Sequence, residues 1–432
     1  MSFSSYRKII FALLFLLMAF NSSHAQMDQL FKRMFNDILR EQMFSFGPFG
    51  RGFDAAALEA DTTLSEALNS LIASNVSSFP LTSTIAGVSF DLSSGTPELI
   101  TESLGPIYAE NAETIGKNKL NLAFNYSYYN LAKFRGLNTD DFRFTFTYAD
   151  IDRSGILGDN LIENDTIDIF PDLDISASTM VFYATYGLTG NFDISLAIPF
   201  IHLNIQGKAT AILNSISFFQ TGVAVNSFNG DPQNPEFRTT FNYNESVTGI
   251  GDIAVRLKYV FSQKSNLDLA AFVDLRLPTG NENDFLGTGK VNSKFTWIIS
   301  RKFGDFSSHF NLSYDRRPLD VDSDEIEYIL GFDQKISNAA TFILSLLGDF
   351  DLEKNESIQL LPGSKTIISS TVREIDRSNI DERNRDNTVT LSTGVRLAPS
   401  HHVSFLANIL VPLNDGGLRS SVAPTFGLAV SF

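Results

Sequence analysis

Cysteine is absent from all 432 residues, and that absence removes a disulfide scaffold, a thiolate metal site, a cysteine nucleophile and a lipid-modified N-terminal cysteine. A surplus of positive charge is missing too: 33 Lys and Arg stand against 49 Asp and Glu, a formal net charge of −16 with pI near 4.7. Nothing in such a chain would displace counterions from a phosphate backbone, which excludes nucleic acid as a partner. Charge of either sign is scarce, at 19% of residues against about 25% in an ordinary soluble domain. After Gln26 no stretch approaches the length of apolar chain that a transmembrane helix needs, so a helical membrane protein is excluded.

What the sequence has in place of charge is aromatic surface, with 39 Phe and 12 Tyr, too much for a disordered chain. At the start, Arg7 and Lys8 precede an unbroken apolar run from Ile9 to Phe20, and Ser23, His24 and Ala25 form a small-x-small site before Gln26. This is the pattern of a cleaved secretory signal peptide over residues 1–25, the run being too short for an anchor. Its removal takes the net charge from −16 to −18. An exported chain with no spanning helix is either soluble or a membrane barrel.

Two periodicities follow. Met27, Leu30, Phe31, Met34, Phe35, Ile38 and Leu39 fall on one helix face, and a second helical stretch runs from about Ala55 to Ala73, with Gly47, Pro48, Gly50 and Gly52 breaking the chain between them. Residues 26–118 therefore form an N-terminal helical segment, either periplasmic or plugging a pore, followed by a barrel over 119–432. From Leu120 onward the period is two: Leu120 to Tyr128, Met180 to Tyr186, Phe192 to Phe200, Ile253 to Phe261, Leu267 to Leu277, Phe295 to Ile299, Phe310 to Tyr314, Ile326 to Phe332, Phe342 to Phe350, Val389 to Leu397, Val403 to Val411 and Val422 to Phe432. The connections alternate strictly. Those after Tyr186, Phe261, Ser300, Phe332 and Leu397 are tight, whereas Gln206 to Thr248, Pro278 to Lys290, Asp315 to Asp324 and Leu352 to Asp386 are long. A sandwich has no reason to keep that parity; an outer-membrane barrel with tight periplasmic turns and long external loops does. The fold class expected is all-β, a transmembrane antiparallel β-barrel of about 12 strands. Phe142, Phe144, Phe146 and Tyr148 read as part of the first external loop, paired with Thr166 to Phe170; a barrel of 14 strands that recruits both runs is the alternative.

The last strand, with Phe426, Leu428, Val430 and Phe432 on one face, resembles the C-terminal strand of Gram-negative outer-membrane proteins. That resemblance implies the barrel assembly machinery as a partner that reads the final aromatic, besides outer-membrane lipid and lipopolysaccharide. Ser103 to Glu110 continuing through Thr114 to Lys117, then Ala184 to Thr189, Gly249 to Asp252, Leu275 to Gly280 and Leu286 to Gly289 are, in this order, similar to the family labelled putative MetA-pathway of phenol degradation, over about Ala67 to Phe432. The resemblance implies an outer-membrane transporter and a hydrophobic or aromatic cargo. The helix from Met27 to Met43 lies outside it.

Residues that carry chemistry are few. His401 and His402 sit in a turn, where adjacent side chains point apart, and read as solvated rather than metal-binding. His309, Asn311 and Ser313 share an inward row but have no nucleophile elbow, so no catalytic residue, metal or cofactor is assigned. Asp150, Asp152, Asp159, Glu163, Asp165 and Asp168 read as a solvated acidic loop. If the apolar face meets lipid, Arg256, Lys258, Asp274, Arg276, Lys294 and Arg396 line the lumen, with Arg256 opposite Phe272 and diagonal to Asp274, and Asp274 nearly opposite Lys294. Such charges either select solutes at a constriction or form a salt-bridge ladder that fills a narrow barrel. The function expected is a non-enzymatic outer-membrane channel for passive uptake of small, hydrophobic or aromatic solutes; the alternative is a closed structural or partner-binding barrel.

Overall fold

A computed structural model describes residues 26–46, 51–77, 80–83, 90–91, 98–99, 106–264, 267–317, 323–354, 358–400 and 403–431. The expected signal peptide at residues 1–25, His401, His402 and Phe432 lie outside the described residues.

Alternation of large apolar with small or polar residues forces each strand to show one face outward and one inward, and closing the sheet leaves no edge. The strands are β1 (Leu120–Phe134), β2 (Leu173–Gly187), β3 (Phe192–Asn214), β4 (Arg238–Ile250), β5 (Ile253–Lys264), β6 (Leu267–Leu277), β7 (Asn292–Phe303), β8 (Phe306–Arg316), β9 (Glu325–Ser337), β10 (Ala340–Asp351), β11 (Thr388–Ser400), β12 (Val403–Pro412) and β13 (Ala423–Ser431). β4 and β5 both pair with β3, Ile250 opposite Phe200 and Ala254 opposite Ala197, so they are two halves of one wall strand broken at Gly251 and Asp252. The wall is therefore a closed antiparallel barrel of 12 strands, sealed by β13 against β1 from Thr425↔Ser127 to Ser431↔Asn121. No described helix is long and apolar enough to cross a membrane.

The alternative of 14 strands is not what forms. Phe144–Thr147 pairs with Thr166–Phe170, which pairs with the upper end of β3 from Asn214 to Thr210, so both runs stand on the rim as expected of a folded external loop. One expectation is corrected: Gln206 to Thr248 is not a free loop, because β3 and β4 continue in register from Phe200↔Ile250 up to Ile212↔Arg238. The sequence there still alternates, with Ile205, Ala209, Ala211, Leu213, Tyr243 and Val247 buried on one face, but the other face is polar, with Gln206, Lys208, Asn242 and Asn244, so it lacks the large outward apolar residues that mark the belt strands.

Outside, the barrel wears an apolar belt. Leu122, Phe182, Leu196, Trp297, Phe310, Phe342 and Leu428 are all exposed, and rings on neighbouring strands meet across it, Phe124 with Phe182 at 5.0 Å and Phe182 with Phe200 at 5.9 Å. Inside, many facing positions are small or polar and buried, among them Asn125, Ser195, Thr296, Ser345, Ser392 and Thr425, beside larger apolar ones such as Leu347 and Leu410.

The N-terminal helices lie at the long-loop end of the barrel and not beyond its tight turns. α1 (Leu30–Asn36) is flanked by a 3-10 turn at Met27–Gln29 and a π turn at Asp37–Glu41; α2 (Asp54–Glu59) runs through a π turn at Ala60–Leu64 into α3 (Ser65–Ser77). Phe35 packs edge-on against Phe144 and Phe146 at 6.3 and 6.0 Å, Phe53 against Tyr148 at 4.9 Å, and Arg33 pairs with Glu245 at 2.9 Å. From there the chain descends into the lumen.

Candidate functional site

Two stretches of non-wall backbone run inside the barrel, and both are held by wall side chains. Residues 80–83 lie at mid-height: the Thr82 amide donates to the Tyr183 hydroxyl at 3.1 Å, and Arg256 Nη1 donates to the Thr82 carbonyl at 2.9 Å. Residues 106–116 form a strap that leads down to β1. Ser83 N donates to the Ile107 carbonyl at 2.7 Å, joining the two stretches.

The strap belongs to no helix or strand and so offers bare amides and carbonyls, which its burial in the lumen requires to be satisfied. Arg396 Nη2 donates to the Pro106 carbonyl at 3.2 Å. Asn311 closes a reciprocal pair with Glu110, accepting from its amide at 2.6 Å and donating to its carbonyl at 2.9 Å. The Ala112 amide donates to Ser300 Oγ and the Ile115 amide to Asp193 Oδ2, each at 2.9 Å. The Glu110 side chain meets Lys258 Nζ at 2.8 Å, both buried. Glycines let the backbones approach: a Cβ on Gly187 would sit 1.9 Å from the Gly116 carbonyl oxygen, and one on Gly331 2.6 Å from Ala109 Cβ.

The row singled out as His309, Asn311 and Ser313 is divided among different tasks. His309 Nδ1 faces Ser300 Oγ at 2.9 Å and its Nε2 faces Asp333 Oδ1 at 2.6 Å, a Ser–His–Asp relay across three strands. The serine hydroxyl already receives the Ala112 amide, and all three side chains are buried, so in this state the relay anchors the strap. Ser313 bonds Thr296 instead, at 2.8 Å. Sequence reasoning did not single out Ser300 or Asp333; the signal was their polar presence on the inward faces of strands adjacent to His309.

Above the strap lies a chamber of about 270 Å³, roofed by Leu71, Ser74 and Asn75 of α3 and floored by Tyr108 and Glu110. Of the six charges expected in the lumen, Arg256, Asp274, Arg276 and Lys294 line it, whereas Lys258 and Arg396 lie lower, buried against the strap. Arg256 stands directly opposite Asp274, at 3.0 Å, and Lys258 is the residue opposite Phe272. The expected diagonal was wrong because β5 runs on to Lys264 and carries a bulge between Val260 and Ser262, moving the register. Asp274 is opposite Lys294 as counted, but Lys294 turns to Asp315 at 3.5 Å and to Glu327. Arg317 joins Asp315 at 3.3 Å and Glu325 at 2.7 Å, completing a ladder across β7 to β9 and the residue after β8.

The acidic residues of the first external loop are not uniformly solvated: Glu163 and Asp165 are fully buried. Glu163 accepts from the Ile151 and Gly158 amides at 2.8 Å each, and Asp150 from Gly155 at 2.8 Å, so these carboxylates shape the loop. Asp165 accepts from Ser217 N at 2.9 Å and from the hydroxyls of Ser217 and Ser215, and burial holds its carboxyl above the usual range.

Comparison with known proteins adds the following. The model of the family described as Putative MetA-pathway of phenol degradation matches residues 159–347, which carry β2 to β9 and most of β10. No curated protein matches. Among solved structures, the chain is similar to a TodX monoaromatic hydrocarbon channel mutant at 9% identity, covering 74% of this chain and 92% of that one with a TM-score of 0.35. A FadL homologue of Pseudomonas aeruginosa follows at 9% identity, 73% and 90% coverage and a TM-score of 0.33, and the NanC porin at 8%, 72%, 98% and 0.33.

Proposed function

We propose, from the family match over residues 159–347 together with the chamber inside a closed barrel, that the chain is an outer-membrane channel for passive uptake of small molecules with an aromatic or apolar body, held shut in this state by its own N-terminal segment. The observation that carries this reading is that the lumen is filled by chain held through hydrogen bonds and ion pairs, and not by wall side chains alone. A structural barrel needs no such chamber. A channel closed by a strap has one; each neutral hydrogen bond from wall to strap contributes about 0.5–1.5 kcal/mol and each charged one about 1.5–3 kcal/mol, and a closure made of such separate links is one that motion can release.

The rest of the reading follows the same logic. The apolar belt is the lipid face, with lipopolysaccharide around the long-loop end. The chain reaches the outer membrane through its cleaved leader, and the face of Phe426, Leu428, Val430 and Phe432 serves as the assembly signal. The wall side chains Arg256, Asp274, Arg276 and Lys294 meet the solute; Lys258 and Arg396 retain the strap. The Ser300–His309–Asp333 relay has a task as an anchor, which leaves the protein without an assigned reaction.

Planar-bilayer recording tests this. The full mature chain is expected to open rarely, and the Ser300→Ala/Asn311→Ala variant, which loses three of the strap's hydrogen bonds to the wall, to open at least tenfold more often. Silence from both, with folding verified by heat-shifted mobility on gels, would leave the closed structural barrel as the reading.

A further inference from the structure

The chemistry of the chamber narrows the solute class, an inference that rests on the channel reading. We infer that the chamber is a binding site for a small organic anion with an apolar or aromatic body. Among its charged lining residues, those partly open to the space are Arg276, Lys294, Arg317 and Arg419 against Glu327 and Asp349. The exposed charge therefore favours cations. The other lining carboxylates, Glu110, Asp274, Glu325, Asp351 and Asp386, are buried, and ion pairs with Lys258, Arg256, Arg317 and Arg135 hold Glu110, Asp274, Glu325 and Asp386.

The two exposed carboxylates are also engaged, Glu327 by Lys294 and Asp349 by the Thr388 hydroxyl. Arg276 and Arg419 are in a different position. Among the described residues neither forms an ion pair: Arg276 donates to the Ser77 carbonyl at 3.0 Å, and Arg419 to the Val389 carbonyl, the Thr390 hydroxyl and Asn414. Asp315 and Asp349 act on Arg276 and Arg419 through space without an ion-pair contact, so each guanidinium is left without a direct carboxylate partner, which an anion entering the chamber supplies. Opposite the ladder the lining is apolar, with Leu71, Tyr108, Tyr129, Leu131, Leu347 and Leu410. At about 270 Å³ the chamber lies at the small end of ligand sites, which suits a single ring or a short chain and excludes a long acyl tail. A neutral hydrocarbon would strip water from the ion pairs without replacing any hydrogen bond. A carboxylate with a ring satisfies both sides at once.

Calorimetry on the full mature chain in detergent compares three probes with one ring and different heads: benzoate, benzyl alcohol and benzylamine. Benzoate is expected to bind at least tenfold more tightly than benzylamine and to weaken as salt rises, since the preference is coulombic. Arg276→Gln/Arg419→Gln is expected to weaken benzoate at least tenfold and leave benzyl alcohol within twofold, while Arg276→Lys/Arg419→Lys keeps most of the benzoate affinity. Equal binding of benzoate and benzylamine overturns the inference, as does failure of all three probes to bind. If the Gln variant does not fold, the wild-type ranking and the Lys variant still decide. Anion-selective binding without conductance would sink the channel reading alone; conductance without anion preference would sink this inference alone.

Discussion

At the scale of single residues, the strongest constraint outside the lumen is Arg135. It sits in left-handed backbone at φ 51° just after β1, and its guanidinium reaches Asp386 across the external loops, Nε to Oδ1 at 2.9 Å and Nη2 to Oδ2 at 2.8 Å. Two loop carbonyls, of Asp381 and Arg383, take its remaining donors at 2.9 and 3.0 Å. Both partners are buried, so removing one leaves an uncompensated charge. Arg135→Ala is expected to cost about 3–5 kcal/mol, read from urea unfolding in lipid vesicles; a loss under about 1 kcal/mol would show that the pair is screened as surface pairs are. No sequence pattern announces this pair, because its members stand 251 residues apart and meet through loops without period. Arg256 and Asp274 were legible because strand pairing ties position to sequence, and even there a bulge at Val260 shifted the register. Ser300 and Asp333 were missed for a related reason: a polar residue on an inward face looks the same whether it fills space or holds a strap.

At the scale of elements, periodicity specified faces well and partners poorly. All seven apolar positions read onto one helix face, from Met27 to Leu39, are buried. What buries them is the first external loop and the upper wall, through Phe144, Phe146 and their neighbours, and a helix face carries no record of which surface will cover it. The tall hairpin of β3 and β4 shows the same limit, since its tip is ordered by a polar device. α4 (Ile216–Thr221) begins on Ser215, and the buried Asp165 carboxyl receives Ser215 and Ser217 at its start. Burial raises that carboxyl on folding despite those bonds. A raised acid supports the fold fully below the ordinary carboxylate range, and that support is lost as pH climbs through the raised value. Wild type is therefore expected to lose thermal stability relative to Asp165→Asn as pH rises above about 4. A wild-type curve that rises relative to the variant would mean that the hydrogen bonds outweigh burial.

For the whole molecule, the decisive question is whether the outward belt is a lipid face. Loop parity and strand alternation implied the barrel, because closure and an apolar exterior are properties of the entire pattern and do not depend on any one register. A plug formed by residues 26–118 was one of two readings of the sequence, but which residues descend through the lumen was not implied, since the strap has no period and its contacts are backbone amides, which every sequence has. The chain carries one tryptophan, Trp297, and it lies on the belt, 54% exposed and flanked by Phe261 and Phe295. Such exposure of an indole in water, beside so many exposed rings, would leave a patch far larger than soluble proteins tolerate. In a bilayer the same ring is buried in acyl chain. Folded into vesicles of brominated lipid, the protein should lose most of its tryptophan emission relative to ordinary lipid, while aqueous acrylamide should scarcely quench it. Quenching by acrylamide and indifference to bromine would put Trp297 in water, and with it the reading of the barrel as a membrane wall would fall, because the belt continues on both sides of that residue through Ile299, Phe310 and Leu312.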